Sequence, residues 1–322
     1  TKNYYWRTIA HNTLLIYDPS EQFSHSGDFV NDGGQRLPNR RYEPRNLEVM
    51  INPDNGYKTG EISASSIGPN EKTPDYSYLK GDITKAYSSK VNNVKRSFVF
   101  LNLHDKDVPA ALVVFDKVVS SNSDFNKFWL LHSIDEPLVS NNKTTIIRKE
   151  NNDSGKLVNI TLLPDSNNLK INSIGGPDKE FWVFGKNYHP GFSGDEKASW
   201  RIEVSPVIAE KENYFLNIMQ VMDNSKTELT VKRIIDDKVA GVQISDRIVL
   251  FSNDSEQLES SFEFSIKDEG NFSILLTDLS PGFWSVYKNK NILVYSGEVE
   301  ANKGVIYTDG EKGEYTVTIG VR

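Results

Sequence analysis

From Asn12 to the C-terminus, short runs rich in β-branched and aromatic residues alternate with clusters of Asn, Asp, Gly, Ser and Pro. "NTLLIYD", "RSFVFLNL", "AALVVFDKVVS", "KFWLLHSI", "KLVNITLLP", "SWRIEVSP" and "YFLNIMQVMD" are such runs, and "RIVLFSND", "FSILLTDL" and "EYTVTIG" continue the pattern to the end. Runs of this kind bounded by turn residues read as β-strands. No long window repeats its apolar residues at the helical period. Many strands joined by short turns predict an all-β chain of antiparallel sheets packed as a sandwich. After "EQLESSFEFSIKDEG" the strands shorten and the Gly-aromatic turns "PGFW" and "DGEKGEYTV" appear. This change predicts a large antiparallel β-sandwich over residues 1–261 and a small C-terminal β-domain over 262–322.

Two features narrow the function. A net charge of −7 disfavours nucleic acid as a partner, and the absence of cysteine excludes disulfides, thiol catalysis and Cys-ligated zinc. No apolar run is long enough to span a bilayer as a helix. The chain starts without Met, and Tyr4, Tyr5 and Trp6 are already available for a core, so the sequence reads as part of a longer protein. Residues 24–85 stand apart as polar and rich in Gly, Pro and Asn, with few strand-like runs. A connection of that length is expected to be functional or disordered.

Five histidines are the first candidates for chemistry. His132 follows Trp129-Leu130-Leu131 and reads as a packed strand-end residue. His104 precedes a solvated turn, and His189 precedes a proline in a loop. His11 and His25 differ because "HSGDFVNDGGQR" puts Asp28 and Asp32 nearby. Imidazole and carboxylate together suit zinc. The alternative is that both aspartates cap turns, since Asn, Asp and Gly tolerate positive φ. The next stretch, "QRLPNRRYEPR", concentrates Arg36, Arg40, Arg41 and Arg45 around Tyr42. Arginine forks bind carboxylate or sulfate, and tyrosine stacks on sugars or moves protons. A solvated loop with its arginines paired to acids is an equal reading. There is no nucleophile elbow, phosphate loop or HExxH motif.

"AHNTLLIYDP", followed by "NDGGQR", resembles the start of the β-sandwich of the heparinase II/III-like polysaccharide lyases. "YLKGDITKAYSSKVNNVKRSFVFL", "VVFDKVVSSNSDFNKFWLLHSIDEP", "WRIEVSP" and "FLNIMQVMD" resemble later strands of the same region. The resemblance implies a parent with an N-terminal α/α toroid, this sandwich and a small C-terminal β-domain. It implies β-elimination on a uronic-acid-containing acidic polysaccharide, a periplasmic or secreted bacterial location, and a structural zinc. On this resemblance His11 is a cleft residue or a zinc ligand, Asp28 or Asp32 is the matching carboxylate ligand, and Tyr42 is the cleft tyrosine. Asn12, Arg36, Arg40 and Arg41 then bind substrate. Several relatives carry His-x-His-Asn where this chain has Ile9 in the first position, so one of the two histidine roles has no residue here. Asp82 and His104 remain as candidates for a third ligand. Two other classes fit the same sequence: a non-catalytic carbohydrate-binding sandwich and a glycoside hydrolase sandwich.

Overall fold

The computed structural model describes residues 4–22, 31–35, 44–191, 199–253 and 257–320. Among these the chain is almost entirely β, in four sheets. The largest has eight strands, in the order Glu61–Gly68, Tyr76–Asp82, Val91–Asn102, Ala110–Ser120, Glu212–Asp223, Asp153–Leu163, Lys143–Glu150 and Leu138–Ser140. All neighbours in it are antiparallel. A four-stranded sheet runs Leu14–Tyr17, Asn126–Ser133, Trp200–Pro206 and Leu169–Gly175. A seven-stranded sheet runs Val231–Ile235, Val239–Ile244, Arg247–Ser252, Phe262–Leu276, Ile306–Gly320, Gly282–Lys288 and Ile292–Val299. The hairpin of Trp182–Val183 with Lys186–Asn187 is the fourth.

The eight-stranded sheet is the middle layer. On one face Val94, Val114, Val118 and Phe215 pack against Leu14, Ile16, Trp129, Ile202 and Val204 of the four-stranded sheet. On the other, Tyr78, Val99, Val113 and Ile218 pack against Val242, Val249, Phe251 and Leu275 of the seven-stranded sheet. Burial on both faces explains why "AALVVFDKVVS" is nearly continuously apolar rather than alternating. Each fully buried Val, Leu, Ile or Phe there contributes on the order of 1.5–3 kcal/mol.

The structure adds three details to the sequence reading. The seven-stranded sheet starts at Val231, so residue 262 falls between its third and fourth strands. Its Arg247–Ser252 strand lies parallel to Phe262–Leu276, an exception among antiparallel pairs. The polar stretch before residue 85 also contributes two full strands, Glu61–Gly68 and Tyr76–Asp82. The first turns only Ala64, Ser66 and Gly68 inward. Small inward residues give almost no hydrophobic alternation, so the strand is nearly silent in sequence.

Gly241 marks where the seven-stranded sheet is tightest. A Cβ there would lie 2.0 Å from the Val249 carbonyl oxygen and 2.9 Å from Leu250 Cα, both on the neighbouring strand's backbone. Backbone cannot rotate aside, so Gly241→Ala is expected to cost about 1–3 kcal/mol or more. A urea midpoint unchanged from the parent chain would contradict this.

Candidate functional site

His11 follows a single 3-10 turn, Thr8–Ala10, whose Ile9 is fully buried. The segment is fixed from three sides. Arg96 Nη1 donates to the Asn12 carbonyl at 2.9 Å, and the Tyr87 hydroxyl donates to the Leu14 carbonyl at 2.8 Å. The third hold is His132. Its backbone N–H donates to Asn12 Oδ1 at 2.8 Å, its Nδ1 lies 3.0 Å from the same oxygen, and its Nε2 lies 3.0 Å from the Ile9 carbonyl. His132, which reads in the sequence as a packed strand-end residue, thus positions Asn12. The Asn12 amide oxygen is committed to it, while Asn12 itself is exposed.

Burial holds His132 down to about 4, helped by Arg201, its cross-strand neighbour, and by the nearby His11. A neutral ring carries one N–H and donates to one of its two oxygens at a time. The pH consequence has a definite sign. Between about 4 and the ordinary value of 6.5 the unfolded chain binds a proton at this position and the folded chain does not. The stability from His132 is therefore complete above about pH 6.5 and lost as pH falls toward 4, by about 2–3 kcal/mol. Urea unfolding at neutral and acid pH should show this slope, and His132→Gln should flatten it. Parallel pH profiles of the two proteins would exclude the assignment.

His11 is exposed, and its Nε2 lies 2.9 Å from the Tyr5 carbonyl. A carbonyl only accepts, so Nε2 is the donor, and in the neutral ring Nδ1 carries the lone pair. The ring lines an open cleft of about 380 Å³ together with Trp6, Thr8, Thr13, Gln35 and Thr59. Trp6 is 48% exposed there, which departs from its expected place in the core. An exposed indole beside hydroxyls and an amide is chemistry that suits a sugar ring.

The loop opposite is built for rigidity. Gly33 takes φ +74°, and a Cβ there would meet the Ile16 carbonyl oxygen at 2.9 Å. Asn31 Oδ1 accepts from Gly33 N and Asp32 Oδ1 from Gly34 N, both at 2.8 Å. Lys90 Nζ donates to the Gly34 carbonyl at 2.8 Å and pairs with Glu21 at 2.7 Å. Asp32 Oδ2 accepts from Arg7 Nε at 2.9 Å, with the carboxylate 1% exposed. Asp32 is thus a turn cap within a buried ion pair. A zinc ion at His11 would have to displace Arg7 to reach it, so His11 and Asp32 do not fit a zinc site as arranged. Among the described residues no three His, Asp or Glu side chains come together for a metal.

The remaining candidates are dispersed. Asp82 Oδ1 caps the turn at Thr84 N at 2.9 Å, and His104 Nε2 faces Asp75 at 3.0 Å. His189 Nε2 lies 3.2 Å from Asn187 Nδ2. His25, Asp28, Arg36, Arg40, Arg41 and Tyr42 lie outside the described residues. Trp6, Thr8, Gln35 and Thr59 were missed by the sequence reading, because no local motif joins positions so far apart in the chain.

Residues 233–319, which span most of the seven-stranded sheet, match the family model of the heparinase II C-terminal domain. Over these residues the C-terminal sheet is similar to a heparinase II C-terminal domain, and is heparinase-like in that sense. No curated protein matches the chain. Among solved structures, a heparan sulfate lyase HepC mutant from Pedobacter heparinus is 14% identical at a TM-score of 0.40, over 60% of this chain and 27% of that one. A heparinase III with methylated lysines is 10% identical at 0.39, over 78% and 27%. Another heparinase III is 11% identical at 0.38, over 58% and 25%. The chain spans about a quarter of the length of these structures. The heparinase-like domain packs directly on the eight-stranded sheet, and the His11 cleft draws its lining from residues 6–86. No described helix is long and apolar enough to cross a membrane.

Proposed function

We propose that this chain is the β-sandwich portion of a polysaccharide lyase that cleaves uronic-acid-containing acidic polysaccharides by β-elimination. The observation that carries the reading is the open cleft in which His11, its Nε2 held by the Tyr5 carbonyl, turns Nδ1 to the half-exposed Trp6. The heparinase-like C-terminal domain supports the same class. In this reaction a base removes the proton at C5 of a uronate, and the C4 oxygen leaves. Charge builds on the C5 carboxylate side in the transition state and needs neutral or cationic donors. His11 Nδ1 serves as the proton-accepting group. Asn12, with its oxygen tied to His132, has its amide N–H₂ available for the carboxylate. Tyr42 is assigned to proton transfer at the leaving oxygen, and Arg36, Arg40 and Arg41 to holding the polyanion. A structural zinc held by His11 with Asp28 or Asp32 is the alternative role for His11, since its one lone pair cannot serve both, and no step depends on it. An N-terminal α/α toroid as the other wall of the cleft and a periplasmic or secreted location also follow from this reading.

The test is ultraviolet absorbance of the unsaturated uronate product, for this chain and for a longer protein carrying it, on heparan sulfate, chondroitin and alginate. Absence of product from the longer protein on every uronate polymer would overturn the reading. A second reading, a non-catalytic carbohydrate-binding sandwich, rests on the exposed Trp6. It requires saccharide binding without any product.

A further inference from the structure

Residues 31–35, the loop opposite His11, are tethered at every position. Asn31 Nδ2 donates to the Asp18 carbonyl at 2.6 Å, and Asn31 Oδ1 accepts from Gly33 N. Asp32 caps Gly34 N and pairs with the buried Arg7. The Gly33 carbonyl accepts from Ile16 N at 2.8 Å. The Gly34 carbonyl accepts from Lys90, whose side chain is fully buried. Gln35 N donates to Thr8 Oγ1 at 2.7 Å. Gly34 makes that last contact possible, because a Cβ there would lie 2.6 Å from Thr8 Oγ1 and 2.7 Å from Thr8 Cβ. Two buried cations thus brace a loop none of whose side chains belongs to a hydrophobic cluster.

Gln35 is what this frame presents. It is the exposed residue of the five, and it lines the cleft with His11, Trp6, Thr8 and Thr13. Its side chain is placed as well as its backbone. Burial pushes the Tyr87 hydroxyl up to about 12, against Arg96 and hydrogen bonding from Gln35 and Thr13. The Gln35 amide therefore rests on a fixed hydroxyl, which itself donates to the Leu14 carbonyl. A primary amide offers an acceptor oxygen and an N–H₂ donor side by side. Adjacent hydroxyls on a sugar ring offer the complement, a proton on one oxygen and a lone pair on the next. An amide fixed before the ligand arrives is spared the ordering cost of binding.

We propose that Gln35 is a specificity-determining residue of the His11 cleft, binding two neighbouring hydroxyls of the sugar ring that stacks on Trp6. Oε1 accepts from one hydroxyl, and Nε2 donates to the oxygen of the next. The carboxylate of the same sugar is left to Asn12. The inference rests on the glycan reading of the cleft and deepens it, since it names the group by which the cleft selects a sugar with adjacent free hydroxyls.

Calorimetric titration of the chain with size-defined heparan sulfate, chondroitin and alginate oligosaccharides, and with their O-methylated counterparts, tests it. Methylation removes the hydroxyl proton that Oε1 accepts. The unmodified chain should bind the O-methylated form about fivefold to tenfold more weakly than the free one. Gln35→Met should bind the free oligosaccharide more weakly by about the same factor and then be nearly indifferent to methylation, because the two changes remove one interaction. Gln35 is exposed, so this variant keeps the fold, and an unchanged melting curve checks that. A merely structural role for Gln35 would leave the methylation effect equal in both proteins. An equal methylation effect, or an unchanged affinity of Gln35→Met for the free oligosaccharide, would overturn the role of Gln35 and leave the cleft reading in place. No binding of any oligosaccharide by the unmodified chain would overturn the cleft reading, and the role of Gln35 with it.

Discussion

Asp278→Ala is expected to destabilise the folded chain by about 3–5 kcal/mol, because it removes one partner of a buried ion pair and leaves the buried Lys80 ammonium less compensated. The Asp278 carboxylate is 2% exposed and takes Lys80 Nζ at 2.7 Å. The Tyr78 hydroxyl donates to the same oxygen at 2.8 Å, and Ser252 N donates to the other at 3.0 Å. Tyr78 and Lys80 sit on the Tyr76–Asp82 strand of the eight-stranded sheet, and Asp278 follows the Phe262–Leu276 strand of the heparinase-like domain. The carboxylate thus ties two layers together. Burial and the neighbouring carboxylate push the Tyr78 hydroxyl well above its usual range, so it remains a donor. Asp278 also adopts φ +63°, where Ala is strained, so Asp278→Asn separates loss of charge from backbone strain. Urea unfolding followed by far-UV circular dichroism measures the loss. Adding Lys80→Met to Asp278→Ala should recover a substantial part of it, since an apolar pair leaves no buried charge. A cost under about 1 kcal/mol for Asp278→Ala would mean that water reaches Lys80 and the pair is not buried in solution.

On the proposed β-elimination, His11→Ala in the longer protein should lower the elimination rate by about 10²–10⁴-fold, the range for losing a positioned general base. Its melting curve should barely change, because the ring is exposed and its hydrogen bond among the described residues is to the Tyr5 carbonyl. The initial rate of product absorbance is the readout. His11→Gln keeps a donor for the Tyr5 carbonyl but no basic lone pair, and should be as slow as the alanine variant. A rate within about twofold of the parent protein for both variants would remove His11 from the proton transfer, since even a weak general base contributes far more. Arg96 and His132 give a positioning control. They hold Asn12, which is assigned to the carboxylate whose charge grows in the transition state, so their variants should lower kcat more than they raise KM.

Much of the fold was legible because burial writes itself into strand composition. "AALVVFDKVVS" announces a strand covered on both faces, and the structure places it in the middle layer. "EISASSIG" announces nothing, because its inward positions are Ala64, Ser66 and Gly68. At the candidate site, "AHNT" drew attention to His11 and Asn12, and both sit on one fixed segment. The roles of their neighbours were not legible. Asp32, read as a metal ligand or a turn cap, caps Gly34 and pairs with Arg7. His132, read as a packed strand-end residue, anchors Asn12 across 120 residues of chain. Trp6, read as core, faces solvent in the cleft.

By itself, the sequence determined what depends on neighbouring residues. That covers the β character, the positive φ at Gly33, the absence of thiol chemistry, and the segment around His11 and Asn12 as a place for chemistry. Only the tertiary structure decided what depends on partners brought in from elsewhere. It gave Asp32 to Arg7 and Asp278 to Lys80, and gathered Trp6, Thr8, Gln35 and Thr59 around His11. The physical reason is that backbone preference acts over a few residues. Charge pairing and hydrogen bonding are set by distances of about 3 Å in space, which strand pairing creates between residues far apart in the chain.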